Sequence, residues 1–196
     1  MQGMDPSQLL EWSTKHSTGA PVRKQEFPKE LVDKIFGKST AEILREKYNL
    51  VMESTGTERL TAIQDFELDL ESIDNSISIN KLKMWPSLIS LLQNSEKEIQ
   101  NALLSLFGTA AQNNSLTQSH LMEHGLIQSL VSLDSSGIEK KLLFCVSSMI
   151  ATEEQLKVFY SLDGMNVIAD LKKCTYLRDR MDFFEQKILK LRQNKK

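Results

Sequence analysis

A chain of 196 residues that is 40% hydrophobic, 26% charged and 7% aromatic, with a formal net charge of −2, has the size and composition of one soluble domain with a tail. Four prolines and eight glycines are few for an all-β sandwich or barrel, and two cysteines, Cys145 and Cys174, are too few for a disulfide framework or a four-cysteine zinc site. No apolar run approaches the ~18 residues of a membrane span, Met1 to Pro21 mixes charges in a way unlike a signal peptide, and no Rossmann or P-loop glycine signature is present. The expected setting is the reducing cytoplasm, with the nucleus also open to it.

Residues 1–38 differ from the rest. They hold three of the four prolines (Pro6, Pro21, Pro28) and a polar stretch from Ser13 to Lys24 with no apolar period, so they read as a flexible N-terminal arm. Two short apolar clusters interrupt it, one of them Leu9-Leu10-Glu11-Trp12. Residues 39–191 then read as helix after helix, and 192–196 as a basic tail. Ser39 with Glu42, Thr55 with Glu58, Ser95 with Glu98, Ser115 with Gln118 and Thr152 with Gln155 each have the spacing of a capping box ahead of an apolar 3.6-residue period. The first opens a helix with Ile43, Leu44, Tyr48 and Val51 on one face. The second precedes Leu60, Ile63, Phe66, Leu70 and Ile73. No segment alternates with the two-residue period of a strand, and the fold class is all-α.

A repeat runs through these helices. Leu88 and Leu91 recur as Leu130 and Leu133 and again as Ile168 and Leu171, at offsets of 42 and 38 residues; Leu103-Leu104 recurs as Leu142-Leu143, Met181 follows 39 residues later, and Gly125 recurs as Gly164. A purely helical period near 40 is the pattern of an armadillo-like α-solenoid, a right-handed superhelix whose units cannot cover their own apolar faces alone. Two full units, a truncated third from Met165 onward and two leading helices are expected. The repeated apolar positions belong to the core, each leucine contributing roughly 1.5 to 3 kcal/mol on burial.

Little in the chain supports covalent catalysis, and neither a metal nor a cofactor is expected. His120 and His124 are four apart but lack the order of a zinc-protease helix, Cys145 lies in an apolar stripe, and His16 is in the arm. The acids Glu67, Asp69 and Glu71 read as a solvated helix face. Lys187 to Lys196 carries five bases and no acid, yet lacks the interleaved aromatics of a nucleic-acid surface, so a solvated helix end is the better reading. The chain is expected to be a monomer that binds neither nucleic acid nor membrane and is not an enzyme.

Particular residues go further. Leu9-Leu10-Glu11-Trp12-Ser13, Phe66-Glu67, Ile73-Asp74-Asn75, Leu82-Lys83-Met84-Trp85 and Gly108-Thr109-Ala110-Ala111-Gln112-Asn113-Asn114 resemble, in order and spacing, the fungal Fes-type members of the armadillo family of nucleotide exchange factors. The resemblance is densest from Leu60 to Leu133 and extends to about Leu189.

It implies a cochaperone that clamps the nucleotide-binding domain of the cytosolic 70-kDa heat shock chaperone and promotes ADP release. The arm, through Leu9, Leu10 and Trp12, would mimic a client in the chaperone's peptide groove; the alternative is that Trp12 packs on the first helices. Contact positions implied by the resemblance are Asn75, Ser76, Asn113, Asn114 and Arg180. Against four of them stands a plainer role: a helix-end turn for Ser76, backbone capping for Asn113 and Asn114, a solvated charge for Arg180. The family's typical array runs a unit or more longer than the repeats counted here. A peptide-binding adaptor or a scaffold for an unknown protein partner is the competing reading from the repeat alone.

Overall fold

The computed structural model describes residues 37–193. The chain separates into two units, Met1–Ser39 and Thr40–Lys196, and the second carries the fold described below. The arm residues Leu9, Leu10 and Trp12 lie outside the described residues.

Among the described residues there are eleven α-helices and one 3₁₀ turn, with no strand. Two leading helices, α1 (Thr40–Glu53) and α2 (Gly56–Leu70), precede three units of three helices. The first unit is α3 (Ile73–Lys81), α4 (Trp85–Gln93) and α5 (Lys97–Ala111); the second is α6 (Ser115–Glu123), α7 (Leu126–Ser132) and α8 (Glu139–Met149). The third is α9 (Glu153–Ser161), α10 (Gly164–Lys172), a 3₁₀ turn (Thr175–Leu177) and α11 (Arg178–Gln193). The third unit is therefore complete. Its first helix opens at the Thr152 and Gln155 capping box and buries Gln155, Leu156 and Phe159, but it has no counterpart among the recurring leucine pairs, so the sequence does not mark it as the start of a unit.

The long helices form a row in which α5 packs against α2 on one side and α8 on the other, while α3 meets α6, and α4 meets α7. As the middle of the row, α5 is buried nearly all round, from Ile99 through Leu103, Leu104, Leu106 and Phe107 to Ala111. Trp85, at the start of α4, is fully buried with its ring 6.0 Å from that of Phe107. Leu88, Leu130 and Ile168 occupy the core, as do Leu103, Leu142 and Met181, which makes the repeated positions the cement between units.

Several helix starts differ from expectation. Of the starts at Thr55, Ser95, Ser115 and Thr152, the one at Thr152 closes into a capping box with Gln155 in both directions. Asn114, not Ser115, caps α6, accepting from the Thr117 N–H at 3.1 Å, and α5 begins after Glu96 while the Ser95 hydroxyl turns back to donate to the Leu91 carbonyl. Thr55 caps α2 without a side-chain bond. α2 stops at Leu70, so Ile73 opens α3 and is exposed rather than extending the apolar face of α2, and Ile43 is likewise turned outward from α1.

The repeated glycines also divide their work. Gly125 takes the left-handed conformation before α7, with φ 79°, whereas before α10 that conformation falls to Asp163, with φ 63°, and Gly164 instead lies under the Phe159 ring. Gly108 of α5 lies under Phe144 of α8 in the same way, and a Cβ there would overlap the ring. Gly108→Ala is expected to destabilise the protein by about 1 to 3 kcal/mol in urea unfolding, with part of the loss recovered when Phe144 is also replaced by Ala.

Candidate functional site

The face made by the long helices carries a polar chain across three of them. Lys141 of α8 donates to the Ser105 hydroxyl of α5 at 2.7 Å, Ser105 donates to Glu67 of α2 at 2.7 Å, and Thr109 of α5 donates to the same carboxylate oxygen at 2.8 Å. Asp69 pairs with Lys47 of α1 at 2.6 Å. Two of the three acids expected to form a solvated face are therefore fixed by partners from other helices.

Beyond α8 the row opens. The backbones of α8 and α11 do not approach as α5 and α8 do, and two adjoining cavities of about 270 and 360 Å³ lie between them, sharing Phe144, Ser147 and Phe183. α11 is amphipathic in a way that builds this groove. Met181, Phe184 and Ile188 bury one stripe in the core, while Arg180, Phe183 and Lys187, at i, i+3 and i+7, form a second stripe that lines the cavities. Phe183 is 70% exposed. Lys187 is half-buried, donates to the Ser147 carbonyl at 2.6 Å, and is held below the usual lysine pKa by that burial. Arg180 makes no hydrogen bond or ion pair among the described residues and lines the other end beside Asp179.

The five expected contact residues fall into two groups. Asn113 and Arg180 both border the groove. Asn113 follows α5 in the left-handed conformation, φ 56°, which asparagine tolerates better than other residues bearing a Cβ. The other three are occupied within the fold. Ser76 is completely buried and donates to the Leu70 carbonyl at 2.7 Å; Asn75 donates to the Asp69 carbonyl at 2.8 Å; Asn114 is buried as the cap of α6 and also donates to the Ile73 carbonyl at 3.5 Å. Phe144, Phe183 and Lys187 are missing from the sequence-based set. Phe183 sits beside Phe184, and only the side-by-side placement of α8 and α11 shows which of the two faces outward.

Residues 7–79 match the family model described as nucleotide exchange factor Fes1. The Hsp70 nucleotide exchange factor FES1 of Mycosarcoma maydis is 32% identical over 144 residues, 70% of this chain and 37% of the relative. The protein of the same name from Saccharomyces cerevisiae is 29% identical over 177 residues, 82% of this chain and 61% of the relative, and that of Gibberella zeae is 27% identical over 194 residues, 90% and 87%. The chain is similar to Fes1 proteins along most of its length. It spans 37% of the Mycosarcoma protein and about three fifths of the Eremothecium, Kluyveromyces and Saccharomyces ones, at 62%, 62% and 61%. Among the described residues no helix is long and apolar enough to cross a membrane. Cys145 is fully buried in α8 and its thiol is pushed far up by that burial, as for a small core side chain rather than a nucleophile.

The polar floor of the groove gives a direct stability test. Gln118 donates from one amide nitrogen to both the Ala111 and Ser148 carbonyls, each at 2.9 Å, at the ends of α5 and α8. Gln118→Leu leaves both acceptors buried without this donor, and a loss of about 2 kcal/mol or more is expected in chemical denaturation.

Proposed function

We propose that this chain is a nucleotide exchange factor for the 70-kDa heat shock chaperone, and that its long-helix face grips the chaperone's nucleotide-binding domain. One observation carries the reading. The likeness to proteins named Hsp70 nucleotide exchange factor covers 82% to 90% of this chain in the Saccharomyces and Gibberella relatives, enough that α2, α5 and α8, in the middle of the chain, fall within it.

The mechanism requires no reacting side chain, and the chain acts on the chaperone as a binding partner rather than as a catalyst of bond chemistry. If the face binds the open, nucleotide-poor chaperone better than the closed form, linkage makes the chain weaken nucleotide binding by the same factor by which nucleotide weakens its own. A hundredfold effect needs about 2.7 kcal/mol of differential contact. A rigid row of helices joined by Lys141, Ser105 and Glu67 can supply this because the surface does not yield to the closed form. Asn113 and Arg180 act in this scheme as direct contacts, while Asn75, Ser76 and Asn114 hold the helix ends that present the face. The arm, with Leu9, Leu10 and Trp12, helps release client by occupying the chaperone's peptide groove.

Excess protein is expected to accelerate release of a fluorescent ADP analogue from a cytosolic Hsp70 in stopped flow, and Arg180→Ala to reduce the acceleration severalfold; a release rate unchanged by the wild-type chain would refute the reading. Removal of residues 1–38 should leave ADP release intact while slowing the departure of a labelled client peptide. Loss of ADP release on that deletion would instead make the arm part of the clamp.

A further inference from the structure

The groove between α8 and α11 combines features that specify its occupant. Its walls are two aromatic rings, Phe144 and Phe183, of which Phe183 stands 70% in water. An exposed aromatic beside a concave, preformed cavity is the composition of a binding hot spot rather than of ordinary surface. Its two ends are cationic. Arg180 has all of its donors free of hydrogen bonds and ion pairs among the described residues; Lys187 spends one donor on the Ser147 carbonyl and has no other acceptor among them. The acid lining the groove is Asp179, at the Arg180 end; the Lys187 end is lined by Gln112, Asn113 and Gln118, which are neutral. Seven residues of helix set the two cations about 10 Å apart along the axis of α11, with Phe183 between them.

We infer that this groove receives a segment of the partner that places an apolar side chain between Phe144 and Phe183 and a carboxylate against each of Arg180 and Lys187. A helical segment with acid, apolar and acid residues at i, i+3 and i+7 has this spacing, so that two amphipathic stripes of equal pitch face each other. Arg180 supplies a planar fork for one carboxylate. Lys187, already partly desolvated, loses less hydration than an exposed lysine would when the second arrives. The identity of the partner as Hsp70 rests on the exchange-factor reading; the chemistry of the groove does not.

The test uses the full chain in the ADP-release assay with Hsp70. Phe183→Ala is expected to raise the concentration for half-maximal release at least tenfold, Phe183→Leu less than threefold, and Arg180→Glu with Lys187→Glu to remove detectable binding. Because Phe183 is exposed, circular dichroism of the two Phe183 variants should match the parent. An active wild type with all three variants within twofold of it overturns the inference and leaves the exchange reading standing. If the wild type has no effect on Hsp70, the exchange reading fails alone, and a fluorescein-labelled helical peptide carrying Glu-x-x-Leu-x-x-x-Glu decides the groove. Tenfold tighter binding than the Gln-for-Glu peptide, lost in Phe183→Ala, supports the inference; equal or absent binding overturns it. Concentration-dependent dimerisation abolished by Phe183→Ala would overturn it too, since the groove would then be filled by a second copy.

Discussion

The ends of the long helices set the terms for this fold. A helix leaves its last carbonyls without intrahelical donors, and in an array of units with helices of seven to sixteen residues such ends fall at every junction. Here they are met by side chains from other helices. Ser76 donates to the end of α2, and Gln118 to the ends of both α5 and α8. Gln155 takes the N–H groups of Ala151 and Thr152 while donating to Gln118 at 3.4 Å. These amides and hydroxyls are buried, so each missing partner would leave a desolvated carbonyl. The apolar repeat supplies the free energy of stacking, but the polar caps fix where one unit ends and the next begins.

That division explains what could be read from the sequence. The stripes of Leu88, Leu130 and Ile168, or of Leu103 and Leu142, declare themselves by period, and with them the all-α class and the spacing of the units. Caps are less legible because serine, threonine and glutamine serve either the local turn or a remote carbonyl. Gln118 has the spacing of a capping box with Ser115, yet its amide is used across the junction and Asn114 takes the cap. Ser76 carries the same ambiguity: the hydroxyl implied as a partner contact is spent on Leu70. α9 is legible as a helix from its capping box but not as the start of a unit, since its buried apolar residues, Leu156 and Phe159, lie outside the recurring leucine pairs.

The groove was less legible still. Arg180 and Asn113 were accessible through likeness to a family, one residue at a time, but their relation to Phe144, Phe183 and Lys187 depends on how far α11 stands from α8. A close packing like that of α5 on α8, where Gly108 lets Phe144 lie against the backbone, would have covered these rings. The wider separation leaves them to a partner, and Lys187 spans it by reaching back to the Ser147 carbonyl.

The two-sided burial of α5 has a consequence for motion. In a linear array, resistance to local opening follows the number of flanking neighbours. α5 is held from both sides, whereas among the described residues α11 has a long helix on one side only and meets it through side chains. Amide exchange should therefore be slowest in α5 and faster towards α11. The groove beside α11 thus lies on a softer margin than the row of α2, α5 and α8, so docking there would quench motion as well as add contacts, while the middle of the array keeps its shape.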